Sequence, residues 1–232
     1  MAKEGGEQLM IILGLDLALS TGYAVLTDGQ LSTYGVIIHK VDNWVANINK
    51  HTDYPAIFPQ NLITVARAIA ADVAVKVAEA NPDLIVVEDT SRGRNRTVQK
   101  LLEFIHFAVF DELRKHPAKT VILTNKCWRN AVGANANADE KALNSKIGRL
   151  KRKRRDEIQT RTDLTDEQRE NIIKSGVKVD GKVTGRKKTK HFSIRVVEEQ
   201  FGIKLMQKED DVSDAILLGL AAYRLFGDKC PV

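Results

Sequence analysis

Four acidic residues occur where a carboxylate is unusual or where two carboxylates share one face. Asp16 interrupts an apolar run (IILGLDLAL), and Glu88 ends another (LIVVE). Asp211 and Asp214 lie three residues apart at the start of a segment with helical periodicity, so both side chains face the same way. Because burial of an isolated carboxylate costs several kcal/mol, the four residues together predict a site for a divalent cation that prefers oxygen ligands, Mg²⁺ or Mn²⁺.

The two helical residues also have a simpler interpretation. An aspartate in the first turn of a helix accepts hydrogen bonds from free backbone N–H groups and interacts favourably with the helix dipole. For Asp211 or Asp214 taken alone, helix capping is the more common role. The four acidic residues taken together favour the metal site.

The elements that must position these residues follow from the apolar pattern. Three strands are predicted over 10–17, 22–27 and 31–39, the last two joined by the hairpin signal Asp28-Gly29. Helical periodicity and short apolar runs typical of buried strands then alternate. The predicted order is helix 61–80, strand 83–88, helix 96–115, strand 120–124 and helices at 126–132, 163–175, 187–201 and 211–226.

This order predicts an α/β fold of the ribonuclease-H-like type. Three antiparallel strands come first, and only the later helical crossovers produce parallel strands. The expected sheet is therefore five-stranded and mixed, a three-stranded antiparallel meander plus two parallel strands, with helices flanking it. The actin-type nucleotide-binding fold begins in the same way, so topology alone leaves the function open.

The charge of the chain is concentrated in one segment. The 232 residues carry a net charge of +6, with +8 between residues 134 and 190 and −2 in the remainder. The run KIGRLKRKRR, residues 146–155, holds seven basic residues in ten. Such a segment predicts a surface for a polyanion, most often nucleic acid. The alternative is a solvated, flexible region without a partner.

Three stretches resemble the RuvC family of Holliday junction resolvases. They are ILGLDLALSTGYAVL, LIVVEDT and EDDVSDAILLGLAAY. The family pattern is an aspartate in the first strand followed by a glycine-aromatic turn, a glutamate ending the fourth strand, and Asp-x-x-Asp opening the last helix. RNAVGAN and KKTKHFSIRVVEEQFG resemble the basic helix that precedes the final acidic motif. The likeness covers residues 10–133 and 186–226 of a single nuclease domain and leaves a basic insertion at about 134–186. A phage-type member of the family would be a natural setting for such a variant.

The resemblance implies a homodimeric, metal-dependent endonuclease that cuts Holliday junctions and other branched DNA. It makes Asp16, Glu88, Asp211 and Asp214 the catalytic residues and the ligands of two Mg²⁺ or Mn²⁺ ions per site, which act together on one scissile phosphate. Asp16, on the central strand, is the candidate to bridge both ions. Bacterial members carry an aromatic residue shortly after the glutamate, where this chain has DTSRGRN. Flaps and forks are therefore expected substrates beside four-way junctions.

Basic residues near these motifs are the predicted DNA contacts, because guanidinium and ammonium groups bind phosphates. Three follow Glu88 directly in SRGRNR, three belong to the basic run, and three begin the predicted helix at 187. The set is Arg92, Arg94, Arg96, Lys151, Arg152, Lys153, Lys187, Lys188 and Lys190. Three aromatic residues of an earlier loop, Trp44, Tyr54 and Phe58, are candidates for base stacking.

The same sequence features fit other functions. A ribonuclease-H-like nuclease acting on RNA–DNA hybrids would need the same carboxylates. A non-catalytic protein that binds branched DNA would not need all four. An actin-fold ATPase needs glycine-rich phosphate loops, whereas GLDLALSTG offers only two glycines and no second loop is evident.

The sequence also limits the setting in which the chain works. No apolar run approaches the roughly 18 residues that cross a bilayer, and the start of the chain lacks the pattern of a secretory signal. Two isolated cysteines, Cys127 and Cys230, support neither a disulfide framework nor a zinc site. We expect a reducing compartment: the cytoplasm of a bacterium or phage-infected host, or the nucleus or an organelle in a eukaryote.

Overall fold

Five strands form one mixed sheet in the computed structural model. They are β1 (Ile11–Asp16), β2 (Ser20–Thr27), β3 (Gln30–Ile38), β4 (Leu84–Glu88) and β5 (Lys119–Leu123). Their order across the sheet is β3-β2-β1-β4-β5. The first three strands pair antiparallel, whereas β1 with β4 and β4 with β5 pair parallel. The predicted combination of a meander and two parallel strands is confirmed.

The described residues are 9–39, 60–90, 96–175, 177–179, 182–184 and 188–227. Their helices are α1 (Gln60–Ala80), α2 (Arg96–Leu113), α3 (Asn125–Val132), α4 (Ala138–Gln159), α5 (Asp166–Lys174), α6 (Thr189–Phe201) and α7 (Asp210–Phe226), with a 3₁₀ turn at Gln207–Glu209. None of these helices is long and apolar enough to cross a membrane. The chain divides into a larger unit, residues 1–134 with 193–232, and a smaller one, residues 135–192.

In the larger unit, helices cover both faces of the sheet. Leu13, Leu15, Ile85 and Val87 pack with residues of α1 and α2. The residues that alternate with these along the strands point to the other face, where they pack with α3, α6 and α7. They are Ile12, Leu84 and Val86. Because side chains alternate along a strand, Asp16 and Glu88 belong to the α7 face.

Two glycines let α7 lie directly on the sheet backbone. A Cβ atom on Gly14 would overlap the carbonyl oxygen of Ala215, and one on Gly22 would overlap that of Asp211. Gly22 is the antiparallel partner of Asp16. The start of α7 is therefore placed beside the end of β1.

The turn after Asp16 is stabilised by hydrogen bonds between the Thr21 side chain and the backbone of Ala18. The Thr21 hydroxyl donates to the carbonyl oxygen of Ala18 at 2.6 Å, and the Ala18 N–H donates to Thr21 Oγ1 at 3.2 Å. Thr21 is fully buried. This turn reverses the chain and brings Gly22 opposite Asp16.

The smaller unit contains a long helix that the sequence pattern did not predict. Asn137 and Glu140 form a capping box at the start of α4. A narrow apolar stripe on α4, centred on Ile147, packs against Val177 and Val179. These two residues belong to β6 (Val177–Val179), which pairs with β7 (Lys182–Thr184). The helix escaped prediction because few of its residues are large and apolar, whereas its many Lys, Arg, Glu and Ala residues have high helix propensity.

We expect Gly22→Ala to destabilise the protein by about 1 to 3 kcal/mol, the usual cost of forcing extra atoms into a packed interior. The added methyl must push the start of α7 off β2. Urea unfolding measures the free energy. The control is Gly202→Asn, since a Cβ atom at Gly202 would meet nothing within 4 Å and asparagine tolerates the left-handed backbone there. Wild-type stability of Gly22→Ala would contradict the close contact.

Candidate active site

Two of the predicted acidic residues end neighbouring parallel strands. Leu15 of β1 pairs with Val87 of β4, so Asp16 and Glu88 follow one residue later on each strand. The carboxyl ends of parallel strands meet at one edge of the sheet, which is where open α/β sheets bind ligands. The side chains of Asp16 and Glu88 lie on the same face of that edge.

A third carboxylate comes from α7. Asp214 lies one turn inside the helix, and its carboxylate joins those of Asp16 and Glu88. One oxygen from each of the three lies within 4.8 Å of the others, and all three residues are partly buried. We call these three residues the carboxylate cluster.

The other predicted ligand lies beside the cluster. Asp211 is at the start of α7, where its backbone meets Gly22, and its charge helps to raise the pKa of Asp16. Its carboxylate is not among the three that share the 4.8 Å separation. Asp210, which the sequence analysis did not select, contributes to the raised pKa of both Asp16 and Asp214. Asp210 precedes Asp214 by four residues, a spacing that puts both side chains on the same face of a helix, and this spacing could have identified it.

Burial and repulsion between carboxylates raise the pKa of two members of the cluster, Asp16 and Asp214. The pKa of Asp16 is raised well above its ordinary value, first by burial and then by the charges of Asp214 and Glu88. Burial also raises the pKa of Asp214 to about 6, although Arg129 and a hydrogen bond from Ser193 act in the opposite direction. Such crowding of like charges in one cleft is typical of functional sites.

The donor set of the cluster fits a hard divalent cation. Every candidate ligand atom is a carboxylate oxygen, which suits Mg²⁺ or Mn²⁺ better than the nitrogen and sulfur ligands of zinc sites. The repulsion that raises the pKa of Asp16 is the interaction that a bound cation would remove.

Two residues of α3 that were not among the predicted site residues connect the carboxylates of Glu88 and Asp214. The Asn125 amide donates to Glu88 Oε1 at 2.7 Å. Arg129 Nε donates to Asn125 Oδ1 at 2.9 Å, and Arg129 Nη2 lies 3.1 Å from Asp214 Oδ2. Their positions in the sequence could have indicated this role. Asn125 follows the end of β5, the third parallel strand, where ligand-binding residues are expected, and Arg129 lies one helical turn later.

Glu88 is also held from the opposite face of the sheet. The ring Nε2 of His106, on α2, lies 3.1 Å from the backbone carbonyl oxygen of Glu88. Its Nδ1 lies 2.9 Å from the carbonyl oxygen of Leu102. The end of β4 therefore lies against α2 as well as against α3.

Only some of the predicted DNA-contacting residues lie within the part of the chain that the structure describes. Arg152, Lys153, Lys188 and Lys190 are exposed, and Lys151 is half-buried. Arg96 begins α2. Arg92, Arg94 and Lys187 lie outside the described residues, as do the predicted stacking residues Trp44, Tyr54 and Phe58.

Solved structures similar to this chain include two of RuvC from Thermus thermophilus. One, in complex with a Holliday junction substrate, has a TM-score of 0.55 at 11% identity and covers 95% of this chain and 96% of that chain. The other has a TM-score of 0.53 at 11% identity and covers 94% and 97%. A yeast mitochondrial Holliday junction resolvase covers 93% of this chain and 79% of its own at 15% identity, with a TM-score of 0.44. No family model and no curated protein matches the sequence.

The fold is that of RuvC. The ribonuclease-H-like class predicted from the order of elements is confirmed by this likeness, which extends over nearly the whole of both chains. In this RuvC fold, the carboxylate cluster occupies the carboxyl edge of β1 and β4, next to the start of α7.

The raised pKa values predict that the metal-free protein loses stability as pH rises. A carboxyl whose folded-state pKa exceeds its unfolded value stabilises the fold only while it is protonated. For Asp214, with a pKa of about 6 instead of 3.8, the loss between pH 4 and pH 7 is roughly 2 to 3 kcal/mol. Asp16 changes stability in the same direction. Urea unfolding in EDTA at several pH values measures the dependence.

Asp16→Asn provides the internal control for this measurement. It removes one ionisable group with a raised pKa from the cluster, so we expect the variant to be more stable than the wild type at pH 7 without metal, and its stability to depend less on pH. Glu79→Gln, which alters an exposed carboxylate on α1 that pairs with Lys76, should keep the wild-type pH dependence between pH 5 and 7, because lysine stays charged throughout this range. If the free energy of unfolding changed with pH equally in the wild type and in Asp16→Asn, the prediction that the ionised cluster destabilises the metal-free protein would be wrong.

Proposed function

We propose that this protein is a metal-dependent, structure-selective endodeoxyribonuclease that resolves Holliday junctions and cuts other branched DNA. The observation that carries the proposal is the carboxylate cluster, in which three acidic residues from β1, β4 and α7 meet within 4.8 Å. It occurs in a chain with the fold of RuvC, one structure of which holds a Holliday junction substrate.

Asp16, Glu88 and Asp214 would hold Mg²⁺ or Mn²⁺, with Asp211 as a further ligand and two ions per site. Such ions activate a water molecule and neutralise charge on the scissile phosphate. The chain's own residues set the conditions. Asp16 sits on the rigid central strand, and Asn125 and Arg129 hold the other two carboxylates. In the absence of a cation, the negative cluster would repel a DNA phosphate.

Attraction of DNA therefore has to come from basic residues elsewhere, and α4 presents them on one side. Five exposed basic residues lie along that side of the helix, at intervals of five, three, three and one residues: Lys141, Lys146, Arg149, Arg152 and Lys153. We call these five residues the basic stripe. At 1.5 Å per residue the stripe is about 18 Å long, enough to meet several phosphates of a duplex. Lys188 and Lys190 add two more exposed cations in the smaller unit.

We further propose that the active form is a homodimer. Two opposed cuts in a roughly two-fold junction call for two sites related by a two-fold axis. A groove of about 350 Å³ between α1 and α2 is lined by Ile63, Phe104 and Phe107 among others. Phe107 is 74% exposed, and burial of such a side chain against a second copy would be favourable.

The nuclease proposal predicts that Asp16→Asn abolishes cleavage but retains junction binding. The amide keeps the shape of the side chain and loses the charge that a cation needs. A plasmid with an extruded cruciform, incubated with Mg²⁺, measures cleavage, and linear product indicates the paired cuts of a dimer. A gel-shift assay in EDTA with a synthetic four-way junction measures binding.

Asp72→Asn is the matched control, because its carboxylate is exposed on α1 and pairs with His39. Cleavage by Asp16→Asn at the wild-type rate would refute the assignment of the site. Wild-type cleavage of an RNA–DNA hybrid but not of the junction would replace the substrate class and leave the metal site standing.

The basic stripe predicts how binding depends on salt. For duplex DNA the logarithm of affinity falls with the logarithm of salt concentration, with a slope of about 0.9 per neutralised phosphate. We expect the double variant Arg149→Gln with Arg152→Gln to reduce the magnitude of this slope by about 1 to 2. Fluorescence anisotropy of a labelled junction over a range of KCl concentrations gives the slope.

The control for the stripe changes two basic residues that already have acidic partners. Arg114 and Lys115 form ion pairs with Asp111 and Glu112 on α2. Their substitution by glutamine should leave the salt slope as in the wild type. If both double variants lower the slope equally, the basic stripe has no particular part in binding.

A further inference from the structure

Arg129 is a buried cation that contacts three polar side chains. Only 5% of the residue is exposed. Its Nε donates to Asn125 Oδ1 at 2.9 Å, its Nη1 donates to Ser193 Oγ at 2.8 Å, and its Nη2 donates to Asp214 Oδ2 at 3.1 Å. A buried charge costs free energy unless it is paired and hydrogen-bonded. The three contacts meet that condition.

These contacts form part of a continuous link between two carboxylates of the cluster. Asn125 donates to Glu88 Oε1 at 2.7 Å and accepts from Arg129, which in turn contacts Asp214. Glu88 belongs to β4 and Asp214 to α7, so the link joins two elements that are far apart in sequence. We call Asn125 and Arg129 together the α3 bridge.

The geometry of the bridge requires a guanidinium group. The planar fork of arginine directs its N–H groups along fixed directions, whereas the lysine ammonium is a compact charge on a flexible stem. The guanidinium carbon also lies 4.2 Å from the centroid of the Trp128 ring, and Trp128 is fully buried. This packing leaves Arg129 little freedom to change its orientation.

We propose that Arg129 is a positioning residue of the metal centre. Through Asn125 and directly, it holds Glu88 and Asp214 at a separation suited to a divalent cation, and it balances part of the cluster's negative charge while no cation is bound. The proposal rests on the function proposed above and deepens it. Arg129 acts through the carboxylates, so its effect should be visible in metal binding without DNA.

The experiment measures Mn²⁺ binding to the full-length, DNA-free protein by electron paramagnetic resonance of the free ion. Arg129→Lys keeps the positive charge but cannot make the three directed contacts. We expect it to weaken Mn²⁺ affinity by about ten- to a hundredfold, the usual effect of losing a residue that orients metal ligands. Asn125→Ala, which breaks the link from Arg129 to Glu88 and leaves the contact between Arg129 and Asp214, should weaken affinity by about tenfold and serves if Arg129→Lys does not fold.

Arg224→Lys is the matched control. Arg224 joins the same two helices farther along α7, because its Nη1 donates to the carbonyl oxygen of Ala131 at 3.1 Å, and its Nη2 donates to Gln200 at 2.8 Å. A residue that only holds α3 against α7 would affect stability in both variants and metal affinity in neither. We expect Arg224→Lys to bind Mn²⁺ like the wild type.

Each other outcome overturns a distinct statement. Wild-type affinity in Arg129→Lys and Asn125→Ala would refute the positioning role. Unchanged affinity in Arg129→Lys with tighter binding in Arg129→Gln would mean that Arg129 acts through its charge alone, which also refutes it. If Asp16→Asn binds Mn²⁺ as well as the wild type does, the metal centre itself is misplaced, and the proposed function fails together with the role of Arg129.

Discussion

The contact between α7 and the backbone of β1 and β2 is the constraint on which the rest of the site depends. Gly14 and Gly22 have no side chain, and the carbonyl groups of Ala215 and Asp211 occupy the space that a Cβ would need. This close approach brings a helix that is almost two hundred residues away in sequence next to the end of β1. Without it, Asp214 could not share a 4.8 Å cluster with Asp16 and Glu88.

The cluster is a source of strain that the surrounding structure tolerates. Burial and repulsion raise the pKa of Asp16 and Asp214, so the ionised, metal-free site opposes folding. Apolar cores on both faces of the sheet supply the stability that permits this arrangement. Arg129 reduces the electrostatic repulsion through its ion pair with Asp214, and a bound divalent cation would neutralise much of the negative charge that is left. Such unfavourable groupings are expected where a site has a function.

Charge is divided between the two units in a way that suits the proposed substrate. The larger unit concentrates acidic groups at the edge of the sheet, whereas α4 of the smaller unit exposes the basic stripe. An anionic site cannot attract DNA by itself. The proposed function therefore requires both nonspecific attraction of DNA by the basic helix and neutralisation of the acidic cluster by a cation.

Local patterns in the sequence determined the strands, most helices and the acidic residues, because the periods of two and 3.6 residues and the ends of apolar runs are properties of neighbouring residues. They placed Asp16 within the apolar first strand and Glu88 at the end of another. Tertiary packing decided that Asp214, rather than Asp211, completes the three-carboxylate group, and that Arg129 links two of its members. Those outcomes depend on distances between elements to within an ångström, which the close contact of glycine backbones sets and which no local pattern encodes.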